Sequence, residues 1–177
     1  FPGTVISQRG NRQFELQTTA HGGCLAVSVG GPVTGRGADV IILDDCMKAE
    51  DQNSETAREG LKSWYSSTLS TRLNDKATGA IISIQQRLHE DDLPAHLLER
   101  GFELLNLPAI APADVDIPIG RETAHHWKRG DLLDEVRFPI PVLESERLTL
   151  GPQAYSAQYL QNPVAPEGNL IRVEQFN

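Results

Sequence analysis

Short apolar segments alternate with amphipathic ones along most of the chain. Residues 12–18 alternate apolar and polar side chains, which predicts a strand, and residues 24–29 predict a second one. The run Val40–Leu43 is continuously apolar and mostly β-branched, which is typical of a central parallel strand buried on both faces. The segments "TGAIISIQQ" and "FELLNL" have the same character and predict two further strands of this kind.

Helical periodicity separates these apolar runs. Asn53 or Ser54 can cap a long helix that extends to about Leu73, and a shorter helix is predicted over residues 93–100. The apolar stripe of the long helix comprises Leu61, Trp64, Tyr65, Thr68, Leu69 and Leu73. Because strands and helices alternate, the pattern indicates a parallel α/β fold.

The pattern changes after Pro108. Residues 108–142 are Pro-rich and have little periodicity, which predicts an extended crossing segment. A final helical region, residues 141–162, contains Gly151-Pro152, which should divide it into two helices. Tyr155 and Tyr159 lie at helical spacing there, with Leu160 beside them, and are expected in the core.

Composition narrows the class of protein. The chain has 177 residues, is 39% hydrophobic and 23% charged, and carries a net charge of −8. It therefore has the composition of a globular protein and lacks an overall basic footprint for nucleic acid. The two cysteines, Cys24 and Cys46, have no metal-ligand spacing and indicate a reducing compartment. No apolar run is long enough for a membrane span, so we expect no membrane partner.

Two adjacent carboxylates follow the most apolar strand. Asp44 and Asp45 come directly after Val40–Leu43, at the strand end where parallel α/β sheets bind ligands. One carboxylate at such an edge can hold Mg²⁺ while its neighbour polarises an attacking water, as in a Walker B motif. The alternative is that Asp44 merely caps the turn after the strand.

Polar residues also end the strand in "TGAIISIQQ". Gln85, Gln86 and Arg87 should reach the same sheet edge, where a polar side chain can contact a γ-phosphate or its water. The alternative is that the two glutamines simply mark the end of the strand.

Four separated motifs resemble the large terminase subunit of tailed bacteriophages. They are "GGPVTGRGADVIILDD", "SETAREGLKSWYSSTLSTRLN", "QRLHEDDLPAHLLE" and "LGPQAYSAQYLQNPVAPEG", in the family's order and spacing from about Thr18 onward. The resemblance implies the back half of a three-layer P-loop NTPase-like ATPase domain, in a parent protein that also carries an endonuclease domain. Such motors use ATP and Mg²⁺ to package DNA into procapsids.

The resemblance also implies partners and a location. The expected partners are double-stranded DNA, the portal protein, the small terminase subunit and further copies of the same chain in a homo-oligomeric ring. The expected location is the cytoplasm of an infected bacterium.

Carried over by position, the resemblance assigns roles to individual residues. Asp44 corresponds to the Mg²⁺ carboxylate, Asp45 to the carboxylate that activates water, and Gln86 with Arg87 to the nucleotide-sensing, coupling position. The family usually shows Thr at the position of Gln86. Leu88 and Cys46 likewise depart from the usual Trp and Pro, whereas Arg87, His89, Asp91 and Asp92 keep the pattern.

The phosphate loop G-x-x-x-x-G-K-[ST] does not occur in these 177 residues. "VGGPVTGRG" is Gly-rich but has no Lys after its glycines and precedes a strand, so it does not fit phosphate binding at a helix N-terminus. The nucleotide-binding residues are therefore unknown, and we expect the loop before Phe1 and the nuclease after Asn177. The expected division is residues 1–107 for the Walker B half, 108–162 for the crossing segment and closing helices, and 163–177 for a linker.

Arg36 lies in the Gly-rich loop before the Asp44-Asp45 strand. Ring motors complete an active site with an arginine from the neighbouring subunit, so Arg36 is a candidate catalytic residue. The alternative is a structural arginine bound to loop carbonyls or to Asp39.

Two other polar clusters allow two interpretations each. The run from His89 to Asp92 could hold a metal, but a helix N-cap before Leu93 is favoured. The run His125-His126-Trp127-Lys128-Arg129 could contact DNA phosphates and stack on bases, but a solvated loop is favoured.

Two functions outside the motor class remain open. A metal-dependent nuclease could use Asp44, Asp45, Asp91 and Asp92 if these carboxylates converge on shared metals. A non-catalytic module could instead bind partners without nucleotide turnover. Either would place the Asp44-Asp45 pair in a different role.

Overall fold

The computed structural model describes residues 3–7 and 14–164. It is a mixed α/β structure with one small parallel and two small antiparallel sheets. The strands are β1 (Glu15–Gln17), β2 (Gly23–Leu25), β3 (Val40–Asp44), β4 (Ala80–Ile84), β5 (Val115–Pro118) and β6 (Ala124–Trp127). The α-helices are α1 (Glu55–Trp64), α2 (Leu93–Leu98) and α3 (Ile140–Gln158).

The chain divides into two compact units. The first unit comprises Phe1–Ile42 and Gly60–Ile82, and the second comprises Leu43–Glu59 and Ser83–Asn177. Within the first unit, β1 pairs antiparallel with β2, so that Glu15 lies opposite Leu25. Both N-terminal strands are therefore confirmed, although each is shorter than predicted, and residues 12 and 13 of the first lie outside the described residues.

The β3–β4 pair is parallel. The Ala80 N–H donates to the Asp39 carbonyl at 3.0 Å, and further along both strands the Asp45 N–H donates to the Ile84 carbonyl at 3.0 Å. Because the partners advance in the same direction along both strands, the two carboxyl ends meet at one edge. This is the strand relationship that the apolar pattern predicts.

The prediction that β3 is buried on both faces is wrong. Ile41 and Leu43 are buried, whereas Val40 and Ile42 are 52% and 61% exposed. In the part of the chain that the structure describes, β4 is the strand that pairs with β3, and the side chains on the other face have no cover. A continuous apolar run thus indicates which residues can be buried, whereas actual burial depends on what packs against them.

The prediction of a strand at "FELLNL" is also wrong. Residues 102–107 adopt no strand, and Leu104 and Leu105 are exposed. A strand requires a hydrogen-bonding neighbour, and none of the strands described here pairs with this segment. Apolar composition alone therefore does not make this segment a strand, because no described strand forms hydrogen bonds with it.

The predicted long helix begins at α1. The Ser54 hydroxyl accepts a hydrogen bond from the Ala57 N–H at 3.3 Å, which identifies Ser54 as the capping residue. Beyond Trp64 the winding changes to a π-helical turn, Tyr65–Leu69, and then a 3₁₀ turn, Ser70–Arg72. Leu61, Tyr65 and Leu69 are buried, so the predicted stripe is confirmed at these positions.

The C-terminal part of the second unit contains one predicted and one missed feature. Gly151 has a φ of 78° and interrupts α3, which confirms the predicted division of this helical region. The segment after Pro108 contains the antiparallel hairpin β5–β6, with Val115 opposite Trp127, where the sequence predicts only an extended crossing. Its Pro-rich composition conceals two strands of four residues each.

Aromatic packing supports the last helix. Tyr155 is buried and stacks on Tyr159 with ring centroids 5.2 Å apart, and Phe138 meets the Tyr159 ring edge-on at 6.1 Å. The predicted core position of Tyr155 is confirmed. In the described residues, no helix is both long and apolar enough to cross a membrane.

Asp92 organises the start of α2. It is 3% exposed, and its carboxylate accepts hydrogen bonds from the N–H groups of Leu88 and Ala95. The Arg87 Nε donates to both of its oxygens, at 3.0 and 3.2 Å. The favoured interpretation of Asp92 as an N-cap is therefore confirmed.

We expect Asp92→Ala to lower the free energy of unfolding by about 2–4 kcal/mol, because it leaves the partly buried Arg87 guanidinium and several N–H groups without their acceptor. Urea unfolding monitored by circular dichroism measures the change. Glu99→Ala, an exposed change at the other end of α2, should cost no more than about 0.5 kcal/mol. Equal losses for the two variants would contradict the role of Asp92.

Candidate functional site

The candidate site lies at the carboxyl ends of β3 and β4, in the second unit. We call Asp44, Asp45, Gln85 and Gln86 the strand-end cluster. Parallel pairing brings these four residues together because Asp45 lies beside the last residue of β4, through its N–H bond to Ile84. The sequence prediction that these polar residues share one edge is therefore confirmed.

Asp44 ends β3 and is exposed. Its carboxylate forms no hydrogen bond or ion pair with other described residues, so both oxygens face solvent. A solvated carboxylate with free oxygens is a suitable ligand for a hydrated divalent cation. Asp44 therefore fits the metal-binding role that the sequence suggests.

Asp45 is held more tightly than Asp44. Its φ is 39°, in the left-handed region that Asp adopts more easily than most residues but still at a cost of about 1 kcal/mol. The Gln86 N–H donates to its Oδ1 at 3.2 Å, so β4 fixes the direction of this carboxylate. The second oxygen remains able to accept a further hydrogen bond, such as one from a bound water.

Gln85 connects the two strand ends through its side chain. Its Nε2 donates to the Leu43 carbonyl at 3.3 Å, and its Oε1 accepts from the Cys46 N–H at 3.1 Å. One amide group thus contacts the backbone on both sides of the Asp44-Asp45 pair. Sequence analysis missed this role, because the side chain bonds to backbone some 40 positions away, and no local pattern reveals such a bond.

Arg87 serves the local structure. Besides its Nε bonds to Asp92, its backbone N–H donates to the Gln161 Oε1 at 3.1 Å. Arg87 therefore joins the end of β4 to the α2 cap and to the end of the α3 region. Its predicted part in nucleotide sensing stays a prediction.

Arg36 lies in the first unit, where it forms a bidentate ion pair with Glu15. Its two terminal nitrogens contact the two carboxylate oxygens at 2.8 and 3.3 Å. Asp39, which sequence analysis offered as the alternative partner, instead accepts from the Asn74 Nδ2 at 3.0 Å. Arg36 remains 51% exposed despite its pairing. The pairing supplies a concrete structural role beside the predicted catalytic one.

The other acidic residues do not assemble into a metal cluster. The Asp91 carboxylate lies 3.6 Å from the Arg58 Nε, and the Asp92 carboxylate is occupied by Arg87 and the α2 cap. Across residues 3–7 and 14–164, no group of three or more His, Cys, Asp or Glu could hold a metal ion. The convergence that a nuclease would need is therefore not observed there. A single carboxylate with waters is not such a group, so Asp44 is not affected.

The histidine run lies on the β5–β6 hairpin. His126 pairs with Asp116, which is directly opposite, and both are exposed. Trp127 is only 4% exposed, so it is not accessible for stacking on nucleic-acid bases. The base-stacking interpretation of this run is therefore wrong for Trp127. The favoured solvated loop is confirmed only in the exposure of the two histidines, because Ala124–Trp127 forms a strand and not a loop.

The comparisons with known proteins add no family assignment. A scan of protein-family models found none that matches the chain, and a search of curated proteins found no match either. A functional assignment therefore rests on the sequence motifs and on the geometry of the strand-end cluster.

Cys46 provides a chemical probe of this cluster. Burial raises the pKa of its thiol and outweighs the hydrogen bonds with Gln85 and the Asp44 backbone, which lower it. The Asp44 and Asp45 carboxylates add a smaller upward effect. A raised pKa leaves less of the reactive thiolate at neutral pH.

We expect Cys46 to react with iodoacetamide at pH 7.5 several-fold more slowly than the exposed Cys24. Its rate should keep rising with pH beyond the range where an ordinary thiol levels off, because its pKa is raised. Intact-mass kinetics on Cys24→Ser and Cys46→Ser variants separate the two thiols. In urea the difference should disappear, and equal rates in the folded chain would contradict the half-buried placement of Cys46.

Proposed function

We propose that this chain is part of the ATPase core of a phage large terminase subunit, the motor that packages viral DNA. The observation that carries the proposal is the strand-end cluster, in which two adjacent carboxylates and two glutamines meet at the carboxyl ends of parallel strands. Ligands of parallel α/β folds bind at this edge. The four terminase-like motifs add independent support from the sequence.

Asp44 is the residue that would hold Mg²⁺. Its carboxylate is exposed and unpaired among the described residues, which suits an ion that keeps most of its waters. When bound there, Mg²⁺ supplies positive charge to the phosphate oxygens of the nucleotide. Asp44 thus contributes to nucleotide binding and to the reaction.

Asp45 is the residue that would act on water. The Gln86 N–H holds one carboxylate oxygen, which leaves the other to orient an attacking water and accept its proton. Because this bond comes from the end of β4, a displacement of Gln86 would also displace the catalytic carboxylate. Gln86 thereby couples the two strands, and its exposed side chain is free to contact a phosphate.

The nucleotide site requires residues that these 177 do not contain. No Lys follows a Gly-rich loop in these residues, so they do not supply the part of the site that binds the phosphates. In the proposal, a parent protein contributes that loop and the rest of a three-layer P-loop NTPase-like domain. The same parent would contact DNA, the portal protein and the small terminase subunit, as a ring in the host cytoplasm.

In a parent protein with a phosphate loop, we expect Asp45→Asn to reduce ATP turnover about 10²-fold or more while Mg-ATP binding is retained. Asp44→Asn should weaken nucleotide binding and raise the Mg²⁺ concentration needed for turnover. A malachite-green phosphate assay and isothermal titration calorimetry measure the two effects.

The matched control for both variants is Asp51→Asn, which removes the same charge from an exposed position in a neighbouring turn. It should leave turnover within about twofold, as expected for a surface change. If Asp44→Asn and Asp45→Asn impaired binding equally, the division of roles between the carboxylates would be wrong. A parent without ATP turnover would overturn the proposed function itself.

Arg36 allows a test of assembly. If it acts on a neighbouring subunit, its charge contributes about 10³-fold or more to turnover there. A mixture of Arg36→Ala and Asp45→Asn subunits should then regain activity, because some interfaces combine one intact Arg36 with one intact Asp45. ATP turnover of the mixture, with assembly confirmed by light scattering, is the measurement.

The Arg36–Glu15 ion pair provides the control for this experiment. Glu15→Gln removes the charge that holds Arg36 and keeps the guanidinium. A catalytic Arg36 predicts that Glu15→Gln retains most of the turnover, whereas a purely structural pair predicts equal losses for Glu15→Gln and Arg36→Ala. An inactive mixture would return Arg36 to the structural role.

A further inference from the structure

Gln85 occupies an unusual position next to the strand-end cluster. Its side chain is half-buried, and its amide bonds to two backbone groups of the β3 end: the carbonyl of Leu43 and the N–H of Cys46. The Leu43 carbonyl belongs to the peptide that precedes Asp44, and the Cys46 N–H belongs to the peptide that follows Asp45. One side chain therefore fixes the peptide groups on both sides of the acidic pair.

We propose that Gln85 is a positioning residue for the acidic pair, holding the Asp44-Asp45 backbone in the geometry that the proposed ATP hydrolysis requires. The proposal rests on the function proposed above, although the backbone restraint itself can be measured without it. Gln85 acts on the reaction only through Asp44 and Asp45.

The backbone at the pair needs such a restraint. Asp45 has a left-handed φ of 39°, and unfavourable backbone angles persist only when surrounding contacts enforce them. Three hydrogen bonds do so here: Asp45 N–H to the Ile84 carbonyl, Gln86 N–H to the Asp45 Oδ1, and Cys46 N–H to the Gln85 Oε1. The Gln85 bond is the one of these that a side-chain substitution can remove without altering either carboxylate of the acidic pair.

The chemistry of the contact selects an amide of this length. The Leu43 carbonyl requires a donor and the Cys46 N–H requires an acceptor, and a Gln amide supplies one of each. Glu has the same length but no donor when ionised, so it would place an oxygen against the Leu43 carbonyl. Met keeps the approximate length and removes both hydrogen bonds. These two substitutions therefore test the donor and the whole amide separately.

A loose carboxylate should affect turnover more than binding. A displacement of about 1 Å from the productive geometry can reduce a rate 10²-fold, because the water and the phosphate must be aligned. In the proposed motor, nucleotide affinity depends chiefly on a phosphate loop, which these 177 residues do not contain. We therefore expect Gln85→Met in the parent to lower kcat at least tenfold and to leave KM for ATP within about twofold.

The restraint is measured in the 177-residue chain by amide hydrogen exchange with NMR detection. In Gln85→Met the Cys46 amide should exchange about tenfold faster, since it loses its acceptor. In Gln85→Glu this amide should remain protected, because an acceptor is still present, while kcat in the parent should fall. Gln153→Met, an exposed glutamine of α3, is the matched control and should change neither quantity.

Each outcome bears on the proposal. Faster Cys46 exchange together with a reduced kcat and an unchanged KM supports it. Unchanged exchange in Gln85→Met overturns the restraint, and faster exchange with full kcat overturns the positioning role. If Gln153→Met lost as much kcat and thermal stability as Gln85→Met, the losses would indicate a general folding defect, and this would also overturn the proposal. If the wild-type parent hydrolyses no ATP, the proposed function fails, whereas an inactive Asp45→Asn beside a fully active Gln85→Met overturns the Gln85 role alone.

Discussion

The parallel pairing of β3 with β4 is the constraint on which the candidate site depends. A shift of one residue in this pairing would place Asp45 beside a different residue and break its N–H bond to the Ile84 carbonyl. With the observed register, the two carboxylates lie next to Gln85 and Gln86, and the strand ends exchange three further hydrogen bonds. The site is therefore a consequence of register as much as of residue type.

The adjacent carboxylates are compatible because they occupy different surroundings. Two unit charges about 4 Å apart in water repel by only about 1 kcal/mol, and both aspartates are exposed. Asp45 additionally has an N–H donor for one oxygen and a left-handed backbone conformation, and these distinguish it from Asp44. This asymmetry gives the two residues different chemical capacities, one open to a cation and one directed by the neighbouring strand.

Local features could be predicted from the sequence, whereas those that depend on distant partners could not. Asp92 before Leu93, Ser54 before α1 and Gly151 inside α3 act within a few residues, so their roles follow from residue type and spacing. The Arg36–Glu15 pair and the Gln85 amide depend on groups 21 and 42 positions away, and the burial of β3 depends on what packs against it. For these the sequence defines only what each side chain is capable of binding.

The two glutamines show that residue type alone does not predict the role of a side chain at the strand end. The terminase-like pattern assigns the coupling position to Gln86 and assigns no role to Gln85. Successive side chains at a strand end point in opposite directions, so the pair cannot share one function. The structure directs the exposed Gln86 toward solvent with its N–H on Asp45, and turns the half-buried Gln85 back onto the β3 backbone. A sensing residue must be free to move with its ligand, whereas a positioning residue must be held at both ends of its amide. The Gln85 amide is held at both ends and so meets the condition for a positioning residue. The exposed Gln86 side chain is free to move and so meets the condition for a sensing residue.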